Sequence, residues 1–194
     1  LYHPTSALLN FVYKKNIEPQ NVKHILISKI DGLGDYMMAL RAIISIMKSF
    51  PDAKITQVVS SQNIQIAKIF STENIIYESP FFYPYQVRTF DAVSIILKIK
   101  NLSPDLFVDL RGDFFLLLGS ISANPKYRIE IGRARLYSTL IKLFVRNGSV
   151  AYKRLSVIHE TDVYNRLILN SKVNLLSLEK CQKFLEDKVS IKEV

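Results

Sequence analysis

The chain has 194 residues, 48% of them apolar, and carries 26 Lys and Arg against 17 Asp and Glu, a formal net charge of +9. That length holds one ordinary domain with a real core. No apolar run approaches the roughly 20 residues of a bilayer span, and no signal-peptide pattern opens the chain, which points to a cytoplasmic protein. The single cysteine, Cys181, excludes an internal disulfide and a cysteine-rich metal site, and reads as a passive residue of the tail. A positive excess this large implies an anionic partner: phosphate groups, nucleic acid or acidic lipid.

Residues 1–21 read as a helical extension, with Pro4 at a helix start and an apolar side of Leu8, Leu9, Phe11 and Val12 followed by Lys14 and Lys15. Docking on the domain is favoured over an interfacial membrane anchor, because the segment is short and its polar face thin. His24 to Ser28 is an apolar run of the buried-strand kind. Asp31-Gly32-Leu33-Gly34 reads as a tight turn that uses glycine's freedom. From Asp35 the period becomes helical, with Leu40, Ile43, Ile44, Met47 and Phe50 on one stripe until Pro51-Asp52 ends it.

A second strand, Lys54 to Ser60, has Ile55, Val58 and Val59 as its core. A helix over Ser61 to Phe70, with Ile66, Ile69 and Phe70 inward, and a third strand over Asn74 to Glu78 follow. This β-α-β-α-β order calls for a parallel sheet with right-handed crossovers. The aromatic, proline-containing stretch Ser79 to Arg88 is a loop, either for binding or for packing. Then come a helix with Ala92, Ile95, Ile96 and Ile99 on one face, a fourth strand Asp105 to Leu110, the loop Arg111-Gly112-Asp113, a helix Phe114 to Ala123, and a fifth strand Tyr127 to Ile131 closed by Gly132-Arg133. Leu136 to Val145 and Thr161 to Asn170 read as helices, with an extended piece from Val150 between them. The fold class is α/β: a Rossmann-like, doubly wound parallel sheet over residues 22–170. Residues 171–194 remain as a linker or terminal helix.

In open α/β sheets ligands bind beyond the carboxyl ends of the strands, where Asp31, Gly32, Gly34 and Asp35 should lie. Gly32-Leu33-Gly34 supplies two glycines of a dinucleotide fingerprint, but Met37 stands where the third belongs and no acid ends the second strand, so an NAD site is rejected. Asp35 has two readings: a helix N-cap, or a carboxylate held ready to take a proton from a substrate hydroxyl. Asp31 shares that choice as a turn residue. Lys29 and Arg111 end strands at the same edge and either bind phosphate or carboxylate or solvate the rim. Lys126, Arg128, Arg133, Arg135, Lys142, Arg146, Lys153 and Arg154 form a basic segment in which Glu130 is the one acid named among them. It suits an anion, yet carries no nucleic-acid motif, and nucleic acid is not expected as a partner. His3, His24 and His159 are not at ligand spacing, and no metal is expected.

Ile25-Leu-Ile-Ser-Lys-Ile-Asp-Gly-Leu-Gly-Asp35 resembles the amino-terminal signature of glycosyltransferase family nine, the ADP-heptose:lipopolysaccharide heptosyltransferases. Ala39 to Ala42, Phe50 to Thr56, Val108 to Gly112, Arg128 to Gly132 and His159 to Arg166 fit the same family. The resemblance implies a GT-B architecture, two Rossmann-like domains facing a cleft, of which this is the acceptor-side one. It implies Asp35 as the catalytic base of an inverting transfer without an obligatory metal, with Lys29 at the family's basic position before the turn and Asp31 a common variant there; Lys29, Asp31, Gly32, Gly34, Arg111 and Arg133 are the expected substrate-binding residues. It implies no cofactor but a nucleotide-sugar donor, ADP-heptose-like, held by a donor domain in cis or by a partner chain. It also implies a glycan or glycolipid acceptor, as in lipopolysaccharide core, at an anionic membrane face. The competing class is a non-catalytic module that binds anionic glycans or serves assembly.

Overall fold

A computed structural model of the chain describes residues 11–12, 17–70, 76–78, 89–112, 114–132, 149–153, 164–165, 167–169, 171 and 173–190. Among them, seven strands form one sheet: β1 (Phe11–Val12), β2 (His24–Lys29), β3 (Lys54–Val59), β4 (Ile76–Glu78), β5 (Leu106–Asp109), β6 (Tyr127–Gly132) and β7 (Ser149–Lys153). The helices are α1 (Leu33–Ser49), α2 (Ile64–Phe70), α3 (Thr89–Leu102), α4 (Phe114–Ala123) and α5 (Leu178–Ser190). The spatial order is β1-β7-β6-β5-β2-β3-β4. From β2 the chain steps outward to β3 and β4, then returns to β5 and steps the other way to β6 and β7. All of these neighbours pair in parallel. The order therefore reverses between β2 and β5, which makes the sheet doubly wound, as the alternation of elements predicts.

Both faces of the central strands are covered, so β2 is apolar on both. Ile25 and Ile27 join the core under α1 and α2, together with Leu106, Val108, Tyr127 and Ile129. Leu26 and Ile30 point the other way, with Phe107, against Ile95 and Ile99 of α3 and Leu116 of α4. The predicted stripe of α1 is buried as expected at Leu40, Ile43, Ile44 and Met47. The helix stops because Pro51 pushes the preceding residue out of helical geometry, and Phe50 sits at φ −132°, ψ 66°. Helices α3 and α4 cross closely at Gly119, where an added Cβ would fall 2.7 Å from Ile99 Cδ1.

Several expectations change. Phe11–Val12 is not helical: it pairs antiparallel with the outer edge of β7, where unpaired backbone groups outcompete a short, isolated helix. Pro19–Asn21 is one 3-10 turn. The helix expected from Ser61 opens as a 3-10 turn, Ser61–Asn63, before α2. Cys181 is not a passive tail residue. It is buried in the main core, because amphipathic α5 and residues 173–176 lie back along α1. Two bonds fasten that strap, Arg41 Nε to the Leu176 carbonyl (2.8 Å) and Leu176 N–H to Ser45 Oγ (3.1 Å). The aromatic loop at 79–88, the helix expected at 136–145 and His159 lie outside the described residues.

Candidate functional site

The strand order reverses between the carboxyl ends of β2 and β5, and the candidate side chains gather there. After β2 the chain turns through Ile30 and Asp31 into α1. Ser60 Oγ and Asn63 Nδ2, from the end of β3, both donate to the Asp31 carbonyl (2.7 Å each) and hold this turn in place. Its glycines are not there for unusual backbone angles: Gly32 has φ −67°, and the one described glycine with positive φ is Gly112. An added Cβ at Gly34 would meet nothing within 4 Å. The tight-turn reading is thus corrected. What glycine does at Gly34 is leave the first helical turn uncovered.

Gly32, not Asp35, is the N-cap of α1, and it offers no side-chain cap. The helix's first amide groups therefore keep the positive end of the dipole at the rim. Asp35, in the first turn, is half-buried and has no hydrogen-bond or ion-pair partner among the described residues. The N-cap reading of this aspartate is overturned, because a cap residue must precede the helix and Asp35 lies inside it. Beside it, Leu33 and Met37 are 48% and 49% exposed.

Lys29 and Asp31 do not line the rim as expected for substrate-binding side chains. Both are buried, and a buried charge needs a partner. Lys29 Nζ lies 2.5 Å from Asp31 Oδ2, 2.5 Å from Tyr164 Oη and 3.4 Å from the Leu110 carbonyl. The other Asp31 carboxylate oxygen pairs with Arg111 Nη1. Arg111 is the member of this chain that reaches outward, its side chain 22% exposed. Tyr164 was unassigned from sequence, since nothing in the local pattern reveals a contact across 135 residues.

A second anchor sets the Arg111 turn from the opposite face of the sheet. Ser28, Asp109 and Glu130 stand side by side in register on β2, β5 and β6. Asp109 Oδ1 accepts from Ser28 Oγ, Arg111 N–H and Gly112 N–H, each at 2.9 Å. Gly112 has φ 76°, the left-handed region that a residue with a Cβ resists. Glu130 Oε1 accepts from Ser120 Oγ at 2.9 Å, with Arg128 Nη1 3.8 Å away. Burial pushes the Glu130 carboxyl up to about 7; Arg128 opposes this and Asp109 adds to it. Arg128 also donates to the Ser120 carbonyl (2.9 Å). It is therefore an interior residue and not part of a surface cluster facing an anion. The signal that sequence offered for this row was an acid inside each of two apolar strands, Asp109 and Glu130.

Arg133, with Arg135, Lys142, Arg146 and Arg154, lies outside the described residues. His24 is structural, bridging the Leu102 carbonyl (3.0 Å) and Thr56 Oγ1 (2.8 Å). Among the described residues no group of His, Cys, Asp and Glu could hold a metal ion, and no helix is long and apolar enough to cross a membrane.

The fold and the edge at which these groups meet define a class of architecture, a doubly wound α/β domain with a polar switch-point rim. Among solved structures this fold is similar to that of a glycosyl transferase family 9 protein from Veillonella parvula DSM 2008, with a TM-score of 0.60 at 14% identity over 82% of this chain and 44% of that chain. E. coli heptosyltransferase WaaC is matched at TM-score 0.48 and 19% identity in its ADP form, over 79% of this chain and 48% of that one. Its complex with ADP-2-deoxy-2-fluoro heptose is matched at TM-score 0.45 and 16% identity, over 79% and 50%. The chain spans about half the length of these proteins. No family model and no curated protein matches the sequence.

Proposed function

We propose that this chain is the acceptor-side domain of an inverting, family-nine-like glycosyltransferase, with Asp35 as the base. The observation that carries the reading is Asp35 itself: a half-buried carboxylate without a described partner, in the first turn of the helix that follows the central strand. An ionised carboxylate at that point is free to accept a proton. In the proposed step Asp35 takes the proton of an acceptor hydroxyl. The oxygen attacks the donor's anomeric carbon in line, the bond from that carbon to the nucleoside diphosphate breaks, and the configuration inverts. Arg111 holds an anionic group of the acceptor, with guanidinium donors suited to phosphate or carboxylate. The residue-level resemblance over Ile25–Asp35 and the shared fold support the class. The donor, an ADP-heptose-like nucleotide sugar, is assigned to a second domain in cis or to a partner chain, with no further cofactor. The acceptor is a glycan or glycolipid of the lipopolysaccharide-core kind, met at the cytoplasmic face of an anionic membrane for which a +9 chain has affinity.

The test is sugar transfer by the complete enzyme with Asp35→Asn, which keeps the shape and removes the base. A fall of roughly a hundredfold or more in kcat is expected. Near-wild-type transfer refutes the assignment.

A further inference from the structure

We propose that Lys29 and Tyr164 are positioning residues that set Arg111 through Asp31. The inference rests on reading the β2–β5 edge as a ligand rim, and not on the sugar, the donor or Asp35. Lys29 ends the central strand, yet its ammonium is fully buried. An ammonium group donates three hydrogen bonds and accepts none, and three acceptors among the described residues surround it: Asp31 Oδ2, Tyr164 Oη and the Leu110 carbonyl. Nζ lies 4.7 Å from the Tyr164 ring centroid but 2.5 Å from its oxygen, so the contact is with the hydroxyl and not the ring face.

Two of those acceptors lead to Arg111. Asp31 is its counter-ion. Leu110 supplies the carbonyl of the peptide bond directly before it. Lys29 therefore acts on the guanidinium and on the backbone of the same residue. Stability alone is a weak reason for such an arrangement, since buried ion pairs are often no better than apolar side chains of equal volume. Fixing one arginine is a use that apolar packing cannot supply. Tyr164 decides how the ammonium divides itself. With its hydroxyl in place, Asp31 is shared between Lys29 and Arg111. Without it, Lys29 leans harder on Asp31, and Arg111 loses part of its hold. The outcome is a guanidinium anchored on its inner side and pre-set for an anionic group at the rim, which lowers the ordering cost of binding.

The experiment is NMR of the arginine side chains in the full chain, with the Arg111 Nε–H and Cζ signals identified by their loss in Arg111→Lys. In Tyr164→Phe we expect both Arg111 signals to shift and rotation of the Nη groups, one of which faces Asp31, about their bonds to Cζ to quicken roughly threefold or more, the scale of one hydrogen bond. The backbone amides of β2, β3 and β5 should stay in place, which separates this from general loosening. Unmoved Arg111 signals in a folded Tyr164→Phe overturn the proposal. Should that variant fail to fold, 3-fluorotyrosine at position 164 weakens the oxygen as an acceptor without removing it. Arg111 must then shift in the same sense, and no shift overturns the proposal. Neither readout involves transfer, so a failure here is distinct from a failure of the glycosyltransferase reading.

Discussion

Replacing Glu130 with glutamine tests the interior electrostatics of the sheet. Glu130 is wholly buried, close to Arg128 and beside Asp109, and its carboxyl is held at about 7 against an ordinary value near 4.5, burial being the main cause. Below 4.5 the folded and unfolded chains both keep this proton. Between 4.5 and 7 the unfolded chain releases it and the folded chain does not. Unfolding stability therefore falls as pH rises through that window, and this group contributes no further change above it. The total is on the order of 3 kcal/mol. Glutamine mimics the protonated form and abolishes this component. In urea unfolding at pH 5, 6, 7 and 8, Glu130→Gln should match wild type at pH 5 to within a small constant. It should become the more stable protein by up to about 3 kcal/mol at pH 8. The opposing pull of Arg128, whose Nη1 lies 3.8 Å from Glu130 Oε1, is already contained in that value of about 7. A difference that stays constant from pH 5 to pH 8 refutes it: Glu130 would then be ionised throughout, with Arg128 outweighing burial.

Gly119→Ala should lower Tm, because its Cβ would sit 2.7 Å from Ile99 Cδ1 and 3.2 Å from Ile99 Cβ. Overpacking of about 1–3 kcal/mol exceeds the roughly 1 kcal/mol that alanine adds to a helix. Adding Ile99→Val should restore part of the loss, and a rise in Tm for Gly119→Ala alone counts against the close packing of α3 on α4. Cys181 should react with a thiol reagent only on unfolding, since it is buried and burial pushes its thiol up. Prompt labelling of the native chain would mean that α5 leaves the core. Asp35→Asn, with its expected loss of transfer, remains the test of the activity.

The α/β alternation, the parallel sheet and most of the core were legible in the sequence, because a strand buried on both faces and a helix buried on one leave different periods in the order of apolar residues. The edge of the sheet on which the turns carrying Asp31, Asp35 and Arg111 fall was legible too, since in a doubly wound sheet every β-to-α turn falls on the same side. Three matters lay beyond local pattern. Phe11–Val12 became a strand only because β7 offered an open edge. Cys181 became a core residue only because α5 folded back on α1. Lys29, Asp31 and Arg128 read as surface charges, but the interior takes them in because each finds a partner there. A periodic pattern reports which faces are apolar and carries no information about a hydroxyl 135 residues away. The reach of Tyr164 to Lys29, and through it to Arg111, is therefore a property of the folded chain alone.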